Sequence, residues 1–170
     1  VVLDNIQAIG EIGLDFSEKR SEDELKRQHD NFHKMLELAS EYNMPIVLHV
    51  REAEKHALDT IKEYPNIPDV IFHCFSGDMS DAQRVMDYGD FYFGIGGVVT
   101  FKNSGAILAA LVRDVIPLSK IVLETDSPYL APVPYRGKRN DSTMVRVVAH
   151  KIAEIQGVGF DKVAETTTRN

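Results

Sequence analysis

Residues 45–51 read Pro-Ile-Val-Leu-His-Val-Arg, a short apolar run that ends on an imidazole and a guanidinium. A run of this length, set after Asn43 and a proline, predicts a buried strand rather than a helix. The same arrangement recurs along the chain. Glu11 follows Ala8, Ile9 and Gly10; His73 follows Val70, Ile71 and Phe72; Glu124 and Asp126 follow Ile121, Val122 and Leu123. Strands are expected at 7–14, 45–50, 70–75, 91–96 and 121–124, and four of these five end on residues able to do chemistry.

Helical patterns fill the spaces between them. Ser21 with Glu24 forms a capping-box signature, Leu25, Phe32, Leu36 and Ala39 hold one apolar stripe, and Asn43 with Pro45 supplies the stop. Ala57, Leu58 and Ile61 mark a second helix before Pro65, and Ala82, Val85 and Met86 a third closed by Gly89. Ile107, Leu108, Leu111, Val112 and Val115 precede Pro117; Met144, Val147, Val148, Ile152 and Ile155 precede Gly157. Strands separated by helices imply right-handed βαβ units and a parallel sheet buried on both faces. In such α/β folds the C-terminal ends of the strands deliver side chains to a common crevice. Period-two alternation puts Val47, His49 and Arg51 on one face, and Val122, Glu124 and Asp126 on one face.

Two imidazoles and several carboxylates from separate strands make a mixed nitrogen and oxygen donor set suited to one or two divalent ions such as Zn, Mn or Mg. Burying such groups without partners would cost several kcal/mol each, and a shared metal supplies the compensation. Against this stands the plainer reading of strand-end polar groups capped by loop backbone.

Composition bounds the setting. Of 170 residues, 44% are apolar, 26% charged and 8% aromatic, as in ordinary globular proteins, which disfavours disorder and disulfide scaffolds. The longest apolar runs are strand-sized, so no membrane-spanning segment is expected. Twenty-six acids against nineteen bases leave a net charge of −7, so any phosphate contact must be local. A lone cysteine, Cys74, makes a reducing cytoplasm the default. Strand alternation predicts that Cys74 is a small buried residue facing the helix layer, not a nucleophile. Gly94, Gly96 and Gly97 lack the Lys-Ser/Thr of a phosphate loop and are read as close packing beneath the site.

Five motifs now carry a resemblance. Gly-Glu-Ile-Gly-Leu-Asp at 10–15, Pro-Ile-Val-Leu-His-Val-Arg at 45–51, His-Cys-Phe-Ser-Gly at 73–77, Glu-Thr-Asp-Ser-Pro-Tyr-Leu at 124–130 and Pro-Tyr-Arg-Gly-Lys-Arg-Asn at 134–140 resemble, in order, the signatures of TatD-like metal-dependent deoxyribonucleases. The resemblance spans nearly the whole chain. It implies an α/β fold of the (β/α)8 TIM-barrel, amidohydrolase type, a divalent metal centre of two ions in the family's manner, and hydrolysis of DNA phosphodiesters with exonuclease action on DNA ends. It places metal ligands at Glu11, His49, His73 and Asp126. Glu11 would be shared between two metals, Asp126 would sit beside the attacking water as ligand and base, and Glu124 would support the ligands from behind.

The family's first strand carries a His-x-His pair, and none occurs among His29, His33, His49, His56, His73 and His150. His29 and His33 share a helix face without the Glu of a zinc protease, and with His56 and His150 they are read as ordinary helix histidines. On the substrate side, Arg51 is placed to hold a phosphate, Arg136, Lys138 and Arg139 form a basic loop after the Asp126 motif, and Tyr129 is a stacking candidate. DNA is the expected partner, with no membrane and no stable protein partner. Two rival readings stand beside the nuclease: a related barrel hydrolase acting on a small ester, lactone, amide or phosphoester, and a non-catalytic remnant of the fold.

Size sets a last expectation. A complete barrel takes about 250 residues, roughly 31 for each βα unit, so 170 residues hold about five and a half units. Residues 1–170 are therefore expected to form one domain made of strands four to eight of a barrel. Such a piece should expose barrel-lining side chains and two strand edges, be poorly soluble and inactive alone, and belong to a longer natural protein.

Overall fold

A computed structural model describes residues 6–89 and 91–170; residues 1–5 of the expected 1–170 domain lie outside the described residues. Five strands, β1 (Ile9–Asp15), β2 (Ile46–Arg51), β3 (Val70–His73), β4 (Tyr92–Ile95) and β5 (Ile121–Leu123), pair in parallel in the order β1-β2-β3-β4-β5. Sequential order in a parallel sheet requires a crossover at every step. These are α1 (Glu22–Glu41), α2 (Glu54–Ile61), α3 (Met79–Tyr88) and α4 (Ala106–Asp114), the last reached through a 3₁₀ turn at Gly97–Thr100. Helices α5 (Val145–Gln156) and α6 (Phe160–Arg169) follow β5.

The local signals act as their chemistry dictates. In the α1 capping box the Glu24 N–H donates to Ser21 Oγ and the Ser21 N–H donates to Glu24 Oε2 at 2.8 Å. Asp78 and Asp81 make the same reciprocal arrangement at α3, and Gly157 ends α5 in the left-handed conformation with φ +65. Helix α6 is the element that no stripe announced. Val163 is its one fully buried residue, and its end is tied to β5 by Asn170 Nδ2, which donates to the Leu118 and Ile121 carbonyls.

Burial alternates along β2 as expected. Ile46, Leu48 and Val50 join a continuous core with Phe72, Phe93 and Ile121 and with helix residues Phe32, Leu36, Ala57, Val85 and Leu111, while Val47 is half-buried and His49 and Arg51 are exposed. The sheet is thus covered on one face and not on both. Val47, Ile71 and Val122 on the opposite face are only half-buried, because all the described crossovers pack onto one side of an open sheet. That open face carries the histidines.

Register sets the site. Residues 46–49 of β2 pair with 70–73 of β3, which brings His49 level with His73. On the other side, Gly10 pairs with Val47 and Ile12 with Leu48, so Glu11 is the extra residue of a bulge that frees it from the ladder. Gly13 packs so close to β2 that a Cβ there would lie 1.9 Å from the His49 carbonyl oxygen, at φ +152.

Gly13→Ala is expected to cost more than about 2 kcal/mol, through both clash and backbone strain. Ser21→Ala, which removes only one cap, should cost about 1 kcal/mol. Urea denaturation of both variants checks the order.

Candidate metal centre

Glu11, in the bulge within β1, lies beside His49 of β2 and His73 at the end of β3, and Glu124 and Asp126 follow the end of β5. Glu11 places one oxygen 3.6 Å from His49 Nδ1 and the other 3.6 Å from His73 Nε2, and Asp126 Oδ1 lies 3.7 Å from the same Nε2. These separations are too long for hydrogen bonds. They link Glu11 to each imidazole and Asp126 to His73, pair by pair. In residue type, two imidazoles and two carboxylates are the mixed nitrogen and oxygen donors that suit a divalent cation.

Glu124 stands behind this group. Its Oε2 accepts a hydrogen bond from His73 Nδ1 at 2.7 Å and its Oε1 accepts one from the Cys74 N–H. The hydrogen bond to Glu124 holds the His73 pKa up, to about 9, against the opposing effect of burial; the Glu124, Glu11 and Asp126 charges add to the rise. With Nδ1–H committed to Glu124, Nε2 is the atom presented to a ligand. Among the described residues, His73, Cys74 and Glu124 are the one group whose possible ligand atoms all lie within 4.8 Å of one another. Within this trio each Glu124 oxygen already accepts one hydrogen bond.

Cys74 corrects one expectation. It adopts φ +47 just after β3 ends, which breaks the alternation and turns it toward the site; it lines the same cavity as His73. Burial, then the nearby Glu124 and Asp126 charges, push its thiol pKa well up, so it stays protonated. The glycines behave as close packing demands. A Cβ at Gly94 would lie 2.7 Å from Glu124 Oε2, and one at Gly97 would lie 2.1 Å from the Leu130 carbonyl oxygen.

A cavity of about 400 Å³ beside the cluster is lined by His49, Arg51, His73 and Asp126 and by the apolar Val98, Ile107 and Leu130. The apolar lining comes from residues that carried no chemical signal in the sequence. The basic loop packs on the turn after β4: the Arg136 guanidinium lies 3.9 Å over the Phe101 ring, and the Val133 N–H donates to Thr100 Oγ1 at 2.8 Å. Stacking engages the face of the Arg136 guanidinium and not its N–H edge. Lys138 lies over the Tyr135 ring, Arg139 is exposed, and Tyr129 is 70% exposed. Asn140, which the sequence did not single out, is 1% exposed and ties this loop to the Tyr129 carbonyl. Its local sequence gave no sign of burial.

The other histidines lie on helices outside this cluster. His33 Nδ1 bonds the Tyr64 hydroxyl at 2.7 Å, His29 stands beside His33, His56 meets the edge of Phe16, and His150 stacks on Phe160.

An α/β sheet with imidazoles and carboxylates gathered at its C-terminal strand ends has the form of a metal-dependent hydrolase. Comparison carries the assignment further: the chain belongs to the family described as TatD related DNase, whose family model matches residues 2–170. It is 37% identical over 172 residues to the uncharacterized metal-dependent hydrolase YcfH of Escherichia coli K12, covering 98% of this chain and 62% of that protein. It is 38% identical over 168 residues to the corresponding hydrolase YabD of Bacillus subtilis, with 98% and 64% covered. The crystal structure of YJJV, a TatD homolog from E. coli K12, superposes with a TM-score of 0.84 at 26% identity, over 95% of this chain and 61% of that one. A TatD-family hydrolase from Entamoeba histolytica shares the fold, with a TM-score of 0.82 at 21% identity over 98% and 62% of the two chains. The chain spans a little over three fifths of the length of the curated relatives it matches. Among the described residues no helix is long and apolar enough to cross a membrane.

Glu124→Ala is expected to weaken manganese or zinc binding about 10- to 100-fold by releasing His73 from its hydrogen bond. Isothermal titration of the metal-free protein measures this. Unchanged affinity would remove Glu124 from the support of the site.

Proposed function

We propose that the protein is a metal-dependent deoxyribonuclease that hydrolyses DNA phosphodiester bonds, acting as an exonuclease on DNA ends. The observation that carries the reading is that Glu11 faces His49 and His73 at 3.6 Å each and Asp126 faces His73 at 3.7 Å. Those four residues would hold the metal, with Glu11 placed to serve two ions because its two oxygens face different histidines. Divalent ions in such a site, whether Mg, Mn or Zn, acidify water and offset phosphate charge.

The chain's own residues would do the rest. Glu124 keeps His73 in one tautomer and orientation. Asp126 is placed to accept the proton of the attacking water. Arg51 on the cavity wall holds a phosphate, while Arg136, Lys138 and Arg139 supply local positive charge on a chain of net charge −7. Tyr129 offers an exposed ring to a base.

The five βα units are read as strands four to eight of a (β/α)8 barrel. Support comes from the half-buried inner face and from superposition on 61% of the YJJV chain. The absence of an internal disulfide suits a cytoplasmic protein. A second reading, hydrolysis of a small ester or phosphoester, draws support from the apolar lining of Val98, Ile107 and Leu130, which suits a compact substrate.

Assays of the full-length protein on single- and double-stranded DNA and on small esters, with metal and with chelator, test both readings. DNA degradation is expected only with metal, and Asp126→Asn should lower its rate by about 10²- to 10⁴-fold. Loss of small esters alone would favour the second reading. Absence of metal-dependent DNA degradation, with Asp126→Asn indistinguishable from the parent, would end the first.

A further inference from the structure

Asn140 is the one described residue with a buried side-chain oxygen or nitrogen that has no hydrogen-bond partner: its Oδ1 is orphaned while the side chain is 1% exposed. Packing alone would be served better by leucine, which has a similar shape and no polar atom to desolvate. The amide must therefore be explained by its other end. Nδ2 donates to the Tyr129 carbonyl at 2.7 Å, and the Asn140 backbone N–H donates to the Pro128 carbonyl at 3.0 Å.

Those two bonds close the neck of a loop. Residues 128–140 leave the Asp126 strand end, carry Tyr129, Arg136, Lys138 and Arg139, and return to their starting point at Asn140, the form of an Ω-loop. The turn at the neck is continued by the Tyr129 N–H, which donates to the Asp126 carbonyl at 2.6 Å. The tip is held separately, by Val133 on Thr100 and Arg136 on Phe101. Metal ligand and basic loop are thus joined at one buried amide.

We propose that Asn140 is a positioning residue that sets the basic loop and Asp126 in a fixed relation, so that phosphates held by the loop are aligned with the metal centre. This rests on the nuclease reading for its substrate and deepens it. Aspartate at 140 would keep the size but point an oxygen at the Tyr129 carbonyl, and leucine would keep the volume without a donor.

The experiment uses full-length protein carrying Asn140→Leu, with Asn140→Asp as the second variant should the first fail to fold. Three measurements are made: hydrogen exchange across residues 129–139, manganese affinity by calorimetry, and binding of a fluorescent single-stranded oligonucleotide in chelator across a salt series. Exchange in the loop is expected to rise at least about 10-fold while the sheet amides stay protected. Manganese should bind several-fold more weakly. Oligonucleotide binding should weaken, with a salt slope shallower by about 2, as for loss of three phosphate contacts at about 0.7 each.

Unchanged loop exchange overturns the inference. So does a loosened loop whose manganese affinity and salt slope match the parent, which would make Asn140 merely structural. If the parent protein binds no oligonucleotide, the nuclease reading falls instead, and manganese affinity together with loop exchange decides the role of Asn140.

Discussion

The Glu124 carboxylate is the point on which the site turns. It begins at the end of β5, crosses above Gly94 of β4, and accepts hydrogen bonds from His73 and the Cys74 N–H at the end of β3. One acidic side chain therefore spans three strands. It can do so only because position 94 has no side chain; a Cβ there would occupy the path of the carboxylate. The crossing also fixes which ring nitrogen of His73 faces Glu11 and Asp126, and in a metal site the partner of the second nitrogen governs the orientation and basicity of the first.

Electrostatics divides the molecule into two parts. The strand-end cluster concentrates carboxylates around His73 and raises its affinity for a proton. The loop from Pro134 to Arg139 counters that acidity next door, stacked on Phe101 and Tyr135 so that its cations are held and not merely tethered. On the proposed reading, a polyanionic substrate would be repelled by the long-range field and held by such local contacts.

Much of this was legible in the chain. Strands, five helices and the polar residues at strand ends follow from short apolar runs, capping signatures and the β-strand period of two. Those signals are local, and a strand buried on at least one face must show them whatever it packs against. Glu11, His49, His73 and Asp126 could be named because they interrupt apolar runs at equivalent places. Helix α6 escaped notice because its apolar positions, Phe160, Val163 and Ala164, fill a single turn and are followed by polar residues. Cys74 was misplaced because alternation was carried one residue past the end of β3, into a backbone conformation of positive φ that no residue type at that position announces.

What the sequence by itself determined is the sheet, its crossovers and the polar residues that break the apolar runs, since these depend on hydrophobic periodicity within a few positions; the choice of ligands among them came from the family resemblance. Tertiary structure alone decided the rest. The bulge that frees Glu11 requires two strands in register; the reach of Glu124 requires a glycine on the intervening strand; the burial of Asn140 requires a loop that returns to its own base. Each is a contact between residues far apart in sequence or brought together by a turn, and a linear pattern carries no record of which distant atoms will be desolvated together.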